Sequence, residues 1–98
     1  MILAQLSISP LGSGVSVSTY VKKVVNILKE EKITCYPNAM ATILEVETTE
    51  QLFSVVKKAH DALIEESGVK RVITELKIDH RTDKDATYES KVKAATES

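Results

Sequence analysis

Alternating apolar and polar side chains at the start of the chain predict a strand that is followed by a loop. In residues 2–8 this alternation predicts strand β1, with a more apolar face formed by Ile2, Ala4, Leu6 and Ile8. Residues 9–14 are rich in turn formers, including Pro10, Gly12 and Gly14. Proline fixes φ and glycine allows positive φ, so we expect a loop between two elements here.

Two segments carry apolar residues at helical spacing. Residues 17–31 predict helix α1, with apolar positions Tyr20, Val21, Val24, Val25 and Leu28. After Thr48, which is placed to cap a helix together with Gln51, a second apolar stripe predicts α2 through Leu52, Val55, Val56, Ala59 and Leu63. We expect Gly68 to end this helix.

The remaining segments predict a hairpin, a fourth strand and a terminal helix. Residues 33–36 and 40–46 favour strands β2 and β3, interrupted by Pro37-Asn38, and residues 69–79 alternate as β4. A polar turn over 79–85 leads to a weakly amphipathic helix that carries Tyr88, Val92 and Ala95. The order βαββαβ predicts an α+β, ferredoxin-like domain over residues 1–98, whose four-stranded antiparallel sheet carries α1 and α2 on one face.

The other face of this sheet is expected to lie open, uncovered by its own chain. Strand alternation assigns to it Leu3, Gln5 and Ser7 of β1, Ala41, Ile43 and Glu45 of β3, and Ile73, Glu75 and Lys77 of β4. Large aliphatic side chains among polar ones suit a protein interface. We therefore expect a homo-oligomer assembled through this face.

Composition narrows the class of protein. The chain has 98 residues, 13 basic and 14 acidic, and no tryptophan, so a nucleic-acid or anionic membrane partner is not expected. A single cysteine excludes an internal disulfide and favours a reducing compartment. Together with the lack of a basic, apolar leader at the start, these features predict a cytoplasmic domain.

No catalytic or metal-binding motif stands out. His60 and His80 lack ligand-like spacing, and Cys35 has no evident base, so no catalytic or metal site is expected. Gly12-Ser13-Gly14 could offer amides to an anion, but its simpler role is to turn the chain. The charged stretch 79–84 is typical of a solvated turn. Glu45 and Glu75 would each need a donor or a cation if a neighbouring subunit desolvated them.

Four segments resemble one family along nearly the whole chain: Ile8-Ser9-Pro10-Leu11-Gly12, Ser16-Val17-Ser18, Met40-Ala41-Thr42-Ile43-Leu44-Glu45 and Ile78-Asp79-His80-Arg81-Thr82-Asp83-Lys84. They are similar to the small thiamine-binding proteins of the MTH1187/YkoF-like superfamily (UPF0045). The resemblance implies a ferredoxin-like fold, dimers or tetramers built through sheet contacts, and thiamine or a related pyrimidine as bound ligand, without turnover and with no other cofactor. Ala39, Ala41 and Val46 depart from the family, which usually has proline and glycines around this strand.

The chemistry of thiamine then suggests a ligand-binding set. A thiazolium cation and an aminopyrimidine need a carboxylate, hydroxyl groups and an apolar wall. We assign these roles to Gln5, Ser7, Ser9, Thr42, Ile43, Glu45 and Ile73, with Glu45 as the principal polar anchor. Two alternatives stay open: an interaction module that assembles through the open face without a ligand, and an enzyme of thiamine salvage.

Overall fold

Four antiparallel strands and three helices form the fold, in a computed structural model that describes residues 1–12 and 17–97. The strands lie in the order β2-β3-β1-β4. The elements are β1 (Ile2–Leu11), α1 (Val17–Glu30), β2 (Thr34–Pro37), β3 (Thr42–Val46), α2 (Thr49–Ile64), β4 (Arg71–His80) and α3 (Tyr88–Thr96). This architecture confirms the α+β, ferredoxin-like prediction.

Strand β1 is longer than the sequence predicts. Residues Ser9 to Leu11, expected in a loop, continue the ladder with β4, where Pro10 lies opposite Val72 and Leu11 opposite Arg71. Pairing of β1 with β3 ends earlier, at Leu6 and Thr42. Proline is tolerated in a strand where one edge needs no amide donor, so its presence does not end β1 here. Gly12, with φ of 75°, turns the chain away at the end of the strand.

The core lies between α1, α2 and one face of the sheet. Leu28, Leu52 and Leu63 of the helices are fully buried and meet Leu44 of β3 and the even-numbered residues of β1. Helix α2 begins as predicted, because the Thr48 hydroxyl accepts from the Gln51 amide at 3.1 Å, while the Gln51 side chain accepts from the Glu47 amide. The helix ends at Ile64, earlier than predicted, and Gly68 lies in the following turn with φ of 84°.

The strand register confirms the predicted open face except for Ala41, which precedes β3 and has no partner in the ladder. Gln5 lies opposite both Ile43 and Lys77, and Ser7 lies opposite Glu75. The expectation that the chain leaves this face uncovered is wrong at one end. The first turn of α3 lies over it, so Leu3 is only 8% exposed. Specific contacts of Tyr88 hold α3 against the sheet. A broad apolar stripe does not, since α3 has no buried residue.

Candidate functional site

A cavity of about 190 Å³ opens where β1 extends beyond its pairing with β3. We call it the edge cavity. Its walls are the unpaired edge of β1, the start of α1 and the turn between β2 and β3. The residues that line it are Leu6, Ser7, Ile8, Ser9, Val17, Val21, Val24, Asn38, Ala39, Met40, Ala41 and Thr42. Because the cavity lies at a strand edge, it is lined by residues from both faces of β1.

The lining of the edge cavity is neutral and partly polar. Three of the lining residues, Ser7, Ser9 and Thr42, carry hydroxyl groups, and the structure gives none of the three a side-chain partner among the described residues. By strand parity, Thr42 lies on the core face and the two serines lie on the open face. Thr42 is 7% exposed, whereas Met40 at the rim is 90% exposed. The described lining contains no ionisable side chain. The site can therefore pair neutral donors and acceptors of a ligand against an apolar wall.

The other predicted ligand contacts lie elsewhere. Gln5 and Ile43 line a second, more apolar cavity of about 240 Å³ between the sheet and α3, which we call the α3 hollow. Its other lining residues are Leu3, Ala4, Lys77, Asp79, Tyr88, Lys91 and Val92. Ile73 lies opposite Ser9 on the open face, is 39% exposed and lines neither cavity. The lining of the edge cavity thus includes Ser7, Ser9 and Thr42, whereas Gln5 and Ile43 line the α3 hollow and Glu45 and Ile73 line neither cavity.

Glu45 has a partner within the chain. Its Oε1 accepts a hydrogen bond of 2.7 Å from the backbone amide of Tyr88, the first residue of α3, and its side chain is buried. The free amides at a helix N-terminus favour negative charge, so this contact stabilises both the carboxylate and the helix end. Glu45 also lies three residues from Thr42 on one strand, which places the two side chains on opposite faces of the sheet.

The sequence predicts Tyr88 only as an apolar position of the terminal helix, whereas the structure shows it in contact with β2. Its ring stacks on Tyr36 of β2 with centroids 4.0 Å apart and planes inclined by 6°. Burial, and then the charge of Glu45, raise the pKa of the Tyr36 phenol. The Tyr88 hydroxyl lies 3.4 Å from Oδ1 of Asn38, which lines the edge cavity. The one signal in the sequence for this contact is the presence of a tyrosine in β2 and another in the predicted terminal helix, since two aromatic rings can stack.

His60, His80 and Cys35 line neither cavity, whereas Asp79 of the charged stretch 79–84 lines the α3 hollow. His60 is half-buried, with Nδ1 2.6 Å from the Thr74 hydroxyl. Cys35 is half-buried against the core, and burial raises the pKa of its thiol. In the charged turn, Arg81 binds Asp83 through two hydrogen bonds of 2.8 and 2.5 Å. Ser13 and Gly14 of the glycine-rich turn lie outside the described residues.

No group of three metal-ligating side chains occurs in the part of the chain that the structure describes, residues 1–12 and 17–97. Over the same residues, none of the helices combines the length and apolarity needed to cross a bilayer.

Comparison with known proteins gives one consistent family. Residues 4–96 match the family model described as "Thiamine-binding protein". The UPF0045 protein MJ1052 of Methanocaldococcus jannaschii is 43% identical over 96 residues, covering 98% of this chain and 93% of its own. A UPF0045 protein of Methanothermobacter thermautotrophicus is 40% identical over 98 residues, covering 99% of this chain and 98% of its own.

Solved structures agree with the sequence relatives. The crystal structure of MJ1052 superposes with a TM-score of 0.88 at 42% identity, covering 98% of this chain and 96% of that one. A Bacillus cereus domain of unknown function, DUF77, superposes with a TM-score of 0.82 at 28% identity, covering 98% and 90%. The match of the family model over nearly the whole chain, together with these relatives, confirms the resemblance drawn from the sequence segments: the chain belongs to the thiamine-binding protein family, UPF0045.

Proposed function

We propose that this protein binds thiamine or a related aminopyrimidine in the edge cavity, as a carrier, buffer or sensor that catalyses no reaction. The observation that carries the proposal is the neutral lining with three hydroxyl groups and an apolar wall. The ring nitrogens of an aminopyrimidine accept hydrogen bonds, and its exocyclic amine donates them. A hydroxyl group can donate to the first and accept from the second. Membership of a family named for thiamine binding supports the same ligand.

The size and charge of the cavity favour the pyrimidine end of thiamine as the part that is enclosed. At about 190 Å³ the cavity is smaller than the ~300–1,000 Å³ that enclose a drug-sized ligand, so it suits one ring. The thiazolium carries a fixed positive charge, and a cation is costly to bury without a partner. In our proposal the thiazolium therefore lies at the mouth, beside Val17 and Met40, where its charge stays solvated.

Calorimetric titration tests this proposal. We expect thiamine and the free aminopyrimidine to bind to the same site and to compete with each other. Because the described lining of the cavity contains no cationic side chain, thiamine diphosphate should bind no more tightly than thiamine. Thr42→Val removes one hydroxyl at nearly constant shape and should weaken thiamine binding by roughly 2- to 13-fold, the effect of one neutral hydrogen bond. If the free thiazole competes while the free pyrimidine does not, the orientation proposed here is wrong.

The alternative of an interaction module without a ligand rests on the apolar open face. Ile73 stays 39% exposed there, and the α3 hollow is lined mainly by apolar surface. Self-association through this face is part of our proposal, since a small domain gains stability by burying a further apolar surface. A protein that self-associates but gives no heat with thiamine, its phosphates or the pyrimidine would favour the interaction module over the ligand-binding role.

A further inference from the structure

Tyr88, the first residue of α3, makes three contacts with the β2–β3 hairpin. The Tyr88 amide donates to Glu45 of β3 at 2.7 Å. The Tyr88 ring stacks on Tyr36 of β2 at 4.0 Å. The Tyr88 hydroxyl lies 3.4 Å from Oδ1 of Asn38 in the turn between the two strands. One residue of the terminal helix therefore touches both strands of the hairpin and the turn that joins them.

That turn is a wall of the edge cavity, and the side-chain hydrogen bonds given for it among the described residues link Asn38 to Tyr36 and Tyr88. Strand β2 has four residues and lies at the edge of the sheet, so it pairs only with β3. The ladder ends where Pro37 faces Thr42. Beyond it, the Asn38 amide donates to the Ala41 carbonyl at 2.9 Å, and Asn38 Nδ2 donates to the Tyr36 carbonyl at 3.0 Å. The wall formed by residues 38–41 thus depends on where Tyr36 is held.

We propose that Tyr88 is a positioning residue for the edge cavity, which it keeps in shape by clamping Tyr36 and Asn38. This inference rests on the proposed function, because it concerns how well that cavity binds its ligand. When the wall is free to move, only a fraction of molecules hold a binding-competent cavity, and the apparent affinity falls by that fraction. The reduction is limited by the free energy with which the clamp favours the ordered wall.

The rest of α3 offers a matched control. Lys91 forms an ion pair with Asp79, which belongs to β4 on the other side of β1 and not to the hairpin. Within the described residues, α3 has no buried side chain that would tie it down further. Lys91→Ala therefore loosens α3 from the sheet while leaving the contacts of Tyr88 with the hairpin in place. Tyr88→Ala removes the clamp and leaves the ion pair.

The test is thiamine titration of the parent protein and three variants. Stacking of two aromatic rings changes an equilibrium constant by up to about 12-fold. We therefore expect Tyr88→Ala to raise the apparent dissociation constant for thiamine by roughly 3- to 12-fold. Tyr88→Phe keeps the stacked ring and the backbone bond and should bind within about twofold of the parent. Lys91→Ala should also stay within about twofold. Full affinity in Tyr88→Ala, or equal weakening in Lys91→Ala, would overturn the proposal.

Hydrogen exchange of the backbone amides separates this inference from the proposed function. We expect amides 38–42 to exchange faster in Tyr88→Ala than in the parent without ligand, and at the parental rate in Lys91→Ala. Urea unfolding of each variant checks that it is folded, and Tyr88→Leu serves as a second variant if Tyr88→Ala is not. If the parent protein binds no thiamine, the proposed function fails, whereas unchanged exchange at 38–42 in Tyr88→Ala refutes the clamp itself.

Discussion

At the residue scale, Glu45 could act as a ligand anchor or as a structural contact, and the two roles predict different effects of substituting it. The sequence-based assignment as the anchor for a cationic ligand stays a prediction. The observed bond to the Tyr88 amide supports a second role, which is to hold the start of α3 against the sheet. A buried carboxylate needs a donor, and the helix end supplies one without any ligand. Glu45 is also absent from the lining of the edge cavity.

We expect the structural role of Glu45 to dominate. Glu45→Gln keeps an oxygen acceptor for the Tyr88 amide and loses only the charge, so the free energy of unfolding should fall by about 0.3–1 kcal/mol. Glu45→Ala leaves that amide without its acceptor and should cost about 1–3 kcal/mol. Urea unfolding measures both values. Thiamine affinity of Glu45→Gln should stay within about twofold, and a loss of tenfold or more would restore the anchor role.

At the element scale, local sequence determines the helices that build the core. Helix α2 combines a continuous buried face, formed by Leu52, Val55, Ala59 and Leu63, with a side-chain cap at Thr48. Either signal alone is weak, but the two agree on where the helix begins. Because α2 packs against the same face of the sheet as α1, its first turn contributes to the stability of the whole domain.

The cap at Thr48 can be tested against its neighbour. Thr48→Ala removes the acceptor for the Gln51 amide and should lower the free energy of unfolding by about 1 kcal/mol, within the range of ~0.5–2 for a lost cap. Thr49→Ala deletes the same atoms one residue further on, where the exposed side chain caps nothing. It should change stability by less than half as much in urea unfolding. Equal losses in the two variants would contradict the capping role.

At the scale of the whole molecule, the sheet has two unlike faces. One carries α1, α2 and the core, while the other is covered only at the end where α3 docks. Ile73 lies on this second face, opposite Ser9. Ile78 lies on the core side of the same strand, opposite Ala4. The two isoleucines are equally exposed, at 39% each, and therefore form a matched pair for locating an interface.

Self-association through the open face predicts different outcomes for these two positions. Ile73→Asp places an unpaired charge in the proposed interface and should convert the oligomer to a monomer, because a desolvated charge costs several kcal/mol. Ile78→Asp should keep the parental assembly. Sedimentation velocity measures the assembly state of each. A parental sedimentation coefficient in both variants would argue against an interface at Ile73.

The architecture could be predicted from the sequence because strand alternation and helical periodicity are local patterns. Strand pairing keeps alternate side chains on the same face of the sheet, so these patterns persist in the folded chain. Leu3, Ile43 and Ile73 share a face in the structure for the same reason that they share parity in their strands. The edge cavity could not be predicted in this way, because it depends on where β3 stops pairing with β1. Strand parity places Thr42 on the core face and Ser7 and Ser9 on the open face, so it gave no signal that the three share one lining.

The docking of α3 was missed for a different physical reason. The helix carries no strong apolar stripe, and one stacked ring with one amide bond fixes its first turn. Such contacts form between residues far apart in sequence, here Tyr36 and Tyr88, and leave no local pattern. Likewise, Pro10 was interpreted as a loop residue, since its acceptability in a strand depends on which edge of that strand is paired.

The stacked tyrosines give the protein an optical signal of its own. The chain has three tyrosines, one phenylalanine and no tryptophan, so its near-ultraviolet circular dichroism comes almost entirely from tyrosine. Tyr36 and Tyr88 lie nearly parallel with their ring centroids 4.0 Å apart, so two of the three tyrosines share one environment. Separation of the terminal helix from the sheet would unstack these two rings and change the near-ultraviolet signal. The position of a nine-residue helix can therefore be followed in solution without a label.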